Sequence, residues 1–300
     1  MSRLRISIVE YLNTAPLVWG FTEGPLAGEC ELSFTVPSQC AEALRRGEAD
    51  VAIIPAIEYQ RIENVVALPE ISVAADGPVR SILVLSKRPI EDARRLALDA
   101  SSRSSVALVR LLCRHWWKIS PEFIEAPPNP AAMLADADAA LVIGDPALRV
   151  AVGLDASARG PRGEFCCGGD PSALPVPGFE TLFLYDVAAE WREMTGLPCV
   201  LAFWTARREA ATPEVVADFL ASKEYGMARI AEIAEAAALK LEMPAEALER
   251  YLRDNIVFGF GEREQRGLEH YFQLAAEAGL IPRARPLEFA AAPAQARAKA

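Results

Sequence analysis

Short apolar runs that end in a polar turn and then hand over to a helical pattern recur along the first third of the chain. Ile6–Val9 leads into Tyr11-Leu12-Asn13-Thr14-Ala15-Pro16, where Thr14 suits a helix cap and Pro16 an early helical position. Leu32–Val36 is the next predicted strand; Pro37-Ser38 opens a helix over Gln39–Arg46, and Gly47 ends it. Asp50–Ile54 repeats the unit, with Pro55 starting the following helix. Alternation of this kind predicts an α/β fold with a mostly parallel sheet, whose ligands bind beyond the carboxyl ends of the strands.

The pattern restarts after Val79–Ser86, a long β-rich run. Arg94–Asp99 is followed by the serine-rich turn Ser101–Ser105 and an apolar helix over Val106–Trp117, and Ala139–Ile143 ends in Gly144-Asp145-Pro146. These units predict a second lobe. A Gly/Pro-rich loop over Asp155–Pro177, holding Cys166-Cys167, precedes a strand at Thr181–Tyr185, a helix at Val187–Met194 and a strand at Cys199–Ala206. We expect Val79–Ser86 and Cys199–Ala206 to run side by side as a two-strand hinge. Residues 1–85 then begin lobe I, 86–198 form lobe II, and 199–285 complete lobe I. Its scaffold helices are expected at Pro213–Ser222, Tyr225–Lys240, Ala245–Asp254 and Glu262–Ala278, where amphipathic spacing recurs. Residues 286–300, rich in Ala and Pro, read as a frayed tail.

Length and composition agree with two globular lobes: 300 residues, 52% hydrophobic and 24% charged. A net charge of −10 argues against nucleic acid, which needs clustered Lys and Arg, and means that any anionic ligand must be held by local donors. Six cysteines at irregular spacing and two isolated histidines offer no metal-ligand pattern, so reduced thiols and no metal are expected. No nucleophile elbow, P-loop or dinucleotide fingerprint is present, and no cofactor is expected. Every apolar run is too short to span a membrane, and Ile6–Val9 is too short for a secretory signal, which leads us to expect a cytoplasmic protein.

The candidate chemistry lies at the strand-to-helix junctions: Asn13-Thr14, Pro55, Ser101–Ser105 and Gly144-Asp145-Pro146. Unpaired N–H groups and the positive dipole end point the same way there, so such junctions bind anions. Each feature also has an ordinary structural role. Serine and Asp145 can simply cap helices, Asn13 can hold its own turn, and Ser81 can be a satisfied strand serine. His115 with Trp116 and Trp117 suits packing, and Cys166-Cys167 has no histidine nearby in sequence to activate a nucleophile.

Several segments fall in an order that carries a resemblance: SIVEYLNTAPL, VPSQCAEALRRGEADVAIIPAIEY, AADGPVRS, LDASSRSSVALVRLL and ALVIGDPAL, continuing through AEWREMTGLPCVLAFW to NIVFGFGEREQRGLEHYFQLAAEAGLI. The chain resembles the chorismate dehydratase (MqnA) family of the futalosine route to menaquinone over nearly its whole length. The resemblance implies a type II periplasmic-binding-protein-like fold, with the site in a cleft between two α/β lobes. It implies chorismate, a small dicarboxylate, as substrate, with loss of water to give 3-[(1-carboxyvinyl)oxy]benzoate. Asn13 and Ser81 are carried over as catalytic. Tyr11, Thr14, Pro55, Arg80, Ser102, Arg103, Ser104, Ser105, Gly144 and Asp145 are expected around the substrate, with Ser102–Ser105 as its carboxylate-binding group. No side chain at these positions is an evident base, so the substrate's own side-chain carboxylate is a candidate. The Asp155–Pro177 loop departs from the family pattern. The alternatives are the related 1,4-dihydroxy-6-naphthoate synthase, whose typical Ser-Pro-Cys-Pro-Asn-like opening segment this chain lacks, and a non-catalytic small-carboxylate-binding protein.

Overall fold

A computed structural model of the chain describes residues 3–154, 158–159, 165–166, 176 and 181–292. In chain order these form β1 (Arg5–Val9), α1 (Ala15–Thr22), β2 (Glu31–Thr35), α2 (Pro37–Arg46), β3 (Val51–Pro55), β4 (Val65–Ala75) and β5 (Ile82–Ser86). Then come β6 (Arg95–Asp99), α3 (Ser104–His115), β7 (Glu122–Ala126), α4 (Pro130–Asp136), β8 (Ala139–Ile143) and α5 (Gly144–Leu154). The two-residue strands β9 (Ala158–Arg159) and β10 (Phe165–Cys166) precede β11 (Thr181–Asp186), α6 (Val187–Thr195) and β12 (Cys199–Arg207). Four helices follow: α7 (Pro213–Met227), α8 (Ile230–Leu241), α9 (Ala245–Arg250) and α10 (Glu262–Glu277). Most of the expected loop Asp155–Pro177, Cys167 included, lies outside the described residues.

The strands divide between two sheets, ordered β2-β1-β3-β12-β4 and β7-β6-β8-β5-β11-β10-β9. Each is mixed: β2, β1 and β3 are parallel, as are β7, β6 and β8, while β12 and β5 run antiparallel to their neighbours. The middle strands β5 and β8 of the second sheet are buried on both faces, and alternation along them shows why. Leu83, Leu85, Ala140 and Val142 enter one apolar cluster, while Ile82, Val84, Leu141 and Ile143 enter the other. A strand covered on both sides reads as an unbroken apolar run, which is what made β3, β5 and β8 visible in the sequence.

The crossing between lobes differs from the expected hinge. β12 pairs with β4, Cys199 opposite Ala75 and Val200 opposite Ala74, whereas β5 pairs with β8 and β11 in the other sheet. The chain therefore leaves lobe I before Ile82 rather than after Leu85, and it returns through Gly196-Leu197-Pro198. The cause is local. Arg80 sits at a φ of 63°, and the Asp186 carboxylate accepts hydrogen bonds from Val79 N (3.0 Å) and Arg80 N (2.6 Å), turning the backbone between sheets. Half-buried Asp186 also caps α6 through Ala188 N and Ala189 N, so one carboxylate fixes both the outgoing segment and the helix that leads back.

The segment from Pro286 is not frayed over its described part. Ala67 N donates to Glu288 O (2.8 Å) and Ala290 N to Ala67 O (2.8 Å), while Glu288 N donates to the Tyr59 hydroxyl (2.9 Å). β4 is the edge of its sheet, and its open backbone groups recruit this segment at one end and Val257 at the other.

Candidate functional site

The carboxyl ends of β1, β3 and β8 converge where the two lobes meet, around a small cavity of about 60 Å³. One side is lined by Tyr11, Asn13, Thr14 and Pro55. Ser81, Ser102, Ser104, Ser105 and Gly144 face them from the other lobe, over an apolar floor that includes Val73, Leu201 and Ala202. The Asn13 turn and the serine run thus open onto one space. Among the described residues no carboxylate, ammonium or guanidinium lines it, so a bound anion would meet hydroxyls, an amide and the N-terminal N–H groups of α3.

The lobes are fastened to each other beside this cavity by hydrogen bonds between residues in its lining or close to it in the chain. Leu12 N donates to Asp145 Oδ1 (3.0 Å), and Ile57 N donates to Ser104 Oγ (3.1 Å). Gly144 takes a φ of 67°, and the ring of Tyr11 lies directly over its Cα face. Gly144 N also donates to Ser81 O (2.8 Å), which ties the start of α5 to the crossover.

Several expected site residues take other work. Arg103 is not on the cavity wall; its guanidinium reaches across to Glu58 (2.9 Å) and Glu42 (2.8 Å). Glu58 is fully buried and also paired with Arg45 and Arg61, so Arg103 clamps the lobes and does not present charge to a ligand. Arg80 is held by its backbone at the crossover and does not line the cavity. Asp145 bonds the Leu12 amide instead of facing the cavity, and the Thr14 hydroxyl donates to its own loop at Val9 O and Tyr11 O. Ser101 holds a turn, its N–H and hydroxyl both donating to buried Asp99 Oδ1 (2.9 and 2.6 Å).

Two residues that the sequence did not flag matter here. Asp99, whose carboxyl is pushed up by burial against the pull of the Ser101 donors, lies behind Tyr11, whose phenol is raised to about 12 mainly by burial. Tyr251, fully enclosed behind the cavity, donates its hydroxyl to Ser81 Oγ (2.8 Å). No motif marks it: a lone tyrosine after a helix reads as core. Trp116 and Trp117 both donate to Glu190, a packing role.

The Asp145 carboxyl is pushed up to about 6, first by burial, with the Leu12 N–H and the charges of Lys240 and Arg149 pulling the other way. Because its folded value lies above that of a free carboxyl, the folded chain binds the extra proton between about pH 4 and 6. The stability this lends is complete below about pH 4 and is lost as pH rises through 6. Asp145→Asn keeps the acceptor and is neutral throughout. Its melting temperature relative to the parent is therefore expected to rise between pH 4 and 7; a difference flat across that range would contradict the assignment.

Fold and cleft define the class: two α/β lobes with a cleft between them, the architecture of periplasmic binding proteins. The chain is similar in structure to a protein of Archaeoglobus fulgidus, with a TM-score of 0.67 at 19% identity over 93% of this chain and 98% of that one. The periplasmic aliphatic sulphonate binding protein of Escherichia coli matches with a TM-score of 0.59 at 17% identity over 94% of each. Within that class, the chain belongs to the menaquinone biosynthesis family, whose model matches residues 4–277. It is 28% identical to the chorismate dehydratase of Thermus thermophilus over 273 residues, 89% of this chain and 93% of that protein.

Proposed function

We propose that this chain is a cytoplasmic chorismate dehydratase of the futalosine route to menaquinone, converting chorismate to 3-[(1-carboxyvinyl)oxy]benzoate and water. The observation that carries the reading is a cavity walled by neutral donors from both lobes, in a chain of the menaquinone biosynthesis family. The likeness to the Thermus thermophilus enzyme supports the specific reaction.

Chorismate carries two carboxylates. In this reading the N–H groups and hydroxyls at the start of α3 take the ring carboxylate, and Asn13 and Ser81 face the reacting edge of the ring. The hydrogen lost sits on the ether-bearing ring carbon, vinylogous to the ring carboxylate. Its departure as a proton places negative charge on that carboxylate, where fixed donors stabilise an enolate-like intermediate. The neighbouring hydroxyl then leaves as hydroxide, helped by a hydrogen bond, and the ring becomes aromatic. With no ionised side chain among the described residues of the wall, the base is the carboxylate of the substrate's own enolpyruvyl arm, held in place by Asn13 and Ser81. A typical small-molecule pocket holds roughly 300–1,000 Å³. The cavity of about 60 Å³ must therefore widen by parting the lobes before substrate enters.

Incubating the purified chain with chorismate and following the aromatic product by ultraviolet absorbance and mass tests the proposal. Stoichiometric release of 3-[(1-carboxyvinyl)oxy]benzoate is the expected result. Binding without turnover would instead make the chain a carboxylate-binding protein. Absence of both would point to another acid, as for the related 1,4-dihydroxy-6-naphthoate synthase.

A further inference from the structure

Immediately after α9 the helix widens into a single π-turn, Tyr251–Asn255. Irregular turns of this kind recur at functional sites because they redirect one side chain out of the helical register. Here the turn makes two attachments to the crossover between the lobes. Tyr251 donates to Ser81 Oγ at 2.8 Å, and Asn255 Nδ2 donates to Pro78 O at 2.9 Å. Tyr251 is 2% exposed and Ser81 1%, so water does not compete for the bond between them. The Asn13 side chain is a further polar neighbour of the same phenol.

The donor direction has a chemical consequence. A serine hydroxyl has one hydrogen and two acceptor lone pairs. With one lone pair occupied by the Tyr251 O–H, the serine hydrogen stays available, and the phenol confines the rotation that would otherwise spread it over several directions. Donation into a hydroxyl also polarises it and strengthens the bond it donates onward. Burial pushes the phenol's ionisation well above its usual range, so Tyr251 remains a donor at any pH at which the protein works.

We propose that Tyr251 is a positioning residue for the elimination. Its hydroxyl orients Ser81 so that the serine hydrogen points into the cavity. The inference rests on the dehydratase reading of Ser81, and the test separates the two.

Steady-state turnover of chorismate is measured for the parent, Tyr251→Phe, Ser81→Ala and the double variant. Rates are normalised to the fraction that binds product, so that partial unfolding does not imitate a chemical effect. Tyr251→Phe is expected to lower kcat about tenfold, the scale of one neutral hydrogen bond, with KM changed less than about threefold. In the Ser81→Ala background the same change is expected to have no further effect on kcat. Unchanged kcat in Tyr251→Phe, or losses that multiply in the double variant, would overturn the inference while leaving Ser81 in place. Parent-like turnover of Ser81→Ala would overturn the reading of Ser81 itself, and the inference with it.

Discussion

Replacing Ser81 or Asn13 by alanine is expected to lower kcat for chorismate by a factor on the order of 10²–10³, the usual effect of removing one fixed donor at a reacting centre. Both residues line the cavity that Ser102, Ser104 and Ser105 also line, Asn13 from lobe I and Ser81 from the crossover between the lobes. Neither is expected to abolish folding. Ser81→Ala leaves the Tyr251 hydroxyl without its acceptor, at a cost of about 1–3 kcal/mol, and Asn13 is only half-buried in its turn. Steady-state kinetics with circular dichroism on the same samples reads both effects. Near-parent turnover in both variants would remove these residues from the mechanism.

Gly144→Ala is expected to be the most damaging single methyl in the cleft. The added Cβ would lie 2.5 Å from Cζ of Tyr11, closer than real contacts permit, and the backbone φ of 67° disfavours any L side chain. A left-handed residue costs roughly 1–2 kcal/mol and overpacking roughly 1–3 kcal/mol, so a loss of about 2–5 kcal/mol follows. The strain falls where the two lobes meet, since Gly144 starts α5 and Tyr11 leads into the Asn13 turn. The variant should therefore melt earlier and lose turnover in the fraction that still folds. Denaturant unfolding measures the first and normalised kinetics the second; a midpoint and rate like the parent's would show that Tyr11 does not pack on Gly144.

Which features the sequence disclosed follows from burial. β1, β3, β6 and β8 lie inside sheets covered by helices, so they appear as apolar runs, and a proline or glycine at or after the end of β1, β3 and β8, or the serines after β6, marks the turn into the next helix. β4 escaped notice because Pro69-Glu70 interrupts it, with Glu70 at a φ of 63° and shifts in its pairing with β12. Missing β4 also misplaced the hinge, because β12 then had no partner but Val79–Ser86, and it left Pro286–Ala290 without the edge on which it docks. β7 was obscured by charge: Glu122 and Glu125 flank only two large apolar residues on an edge strand.

At the site, Asn13 and the serines of the Ser101–Ser105 run drew notice because short polar residues stand at strand-to-helix turns, whereas Ser81, just before β5, was singled out only by the family resemblance. Arg103 misled for a physical reason. A cation beside serines suggests an anion site, but its partner Glu58 is buried and lies 45 residues away in the chain, so only the fold reveals the ion pair. Tyr251 was invisible for the same reason, since its partner Ser81 is 170 residues distant.

In the proposed reaction, neutral donors from both lobes grip one dicarboxylate in a cleft that opens to admit it. A crystal structure with 3-[(1-carboxyvinyl)oxy]benzoate bound tests it most directly. One carboxylate is expected on the amides and hydroxyls of Ser104 and Ser105, the enolpyruvyl arm beside Asn13 and Ser81, and the lobes further apart than here. Product held by a single lobe, or bound away from the Asn13 turn, would contradict it.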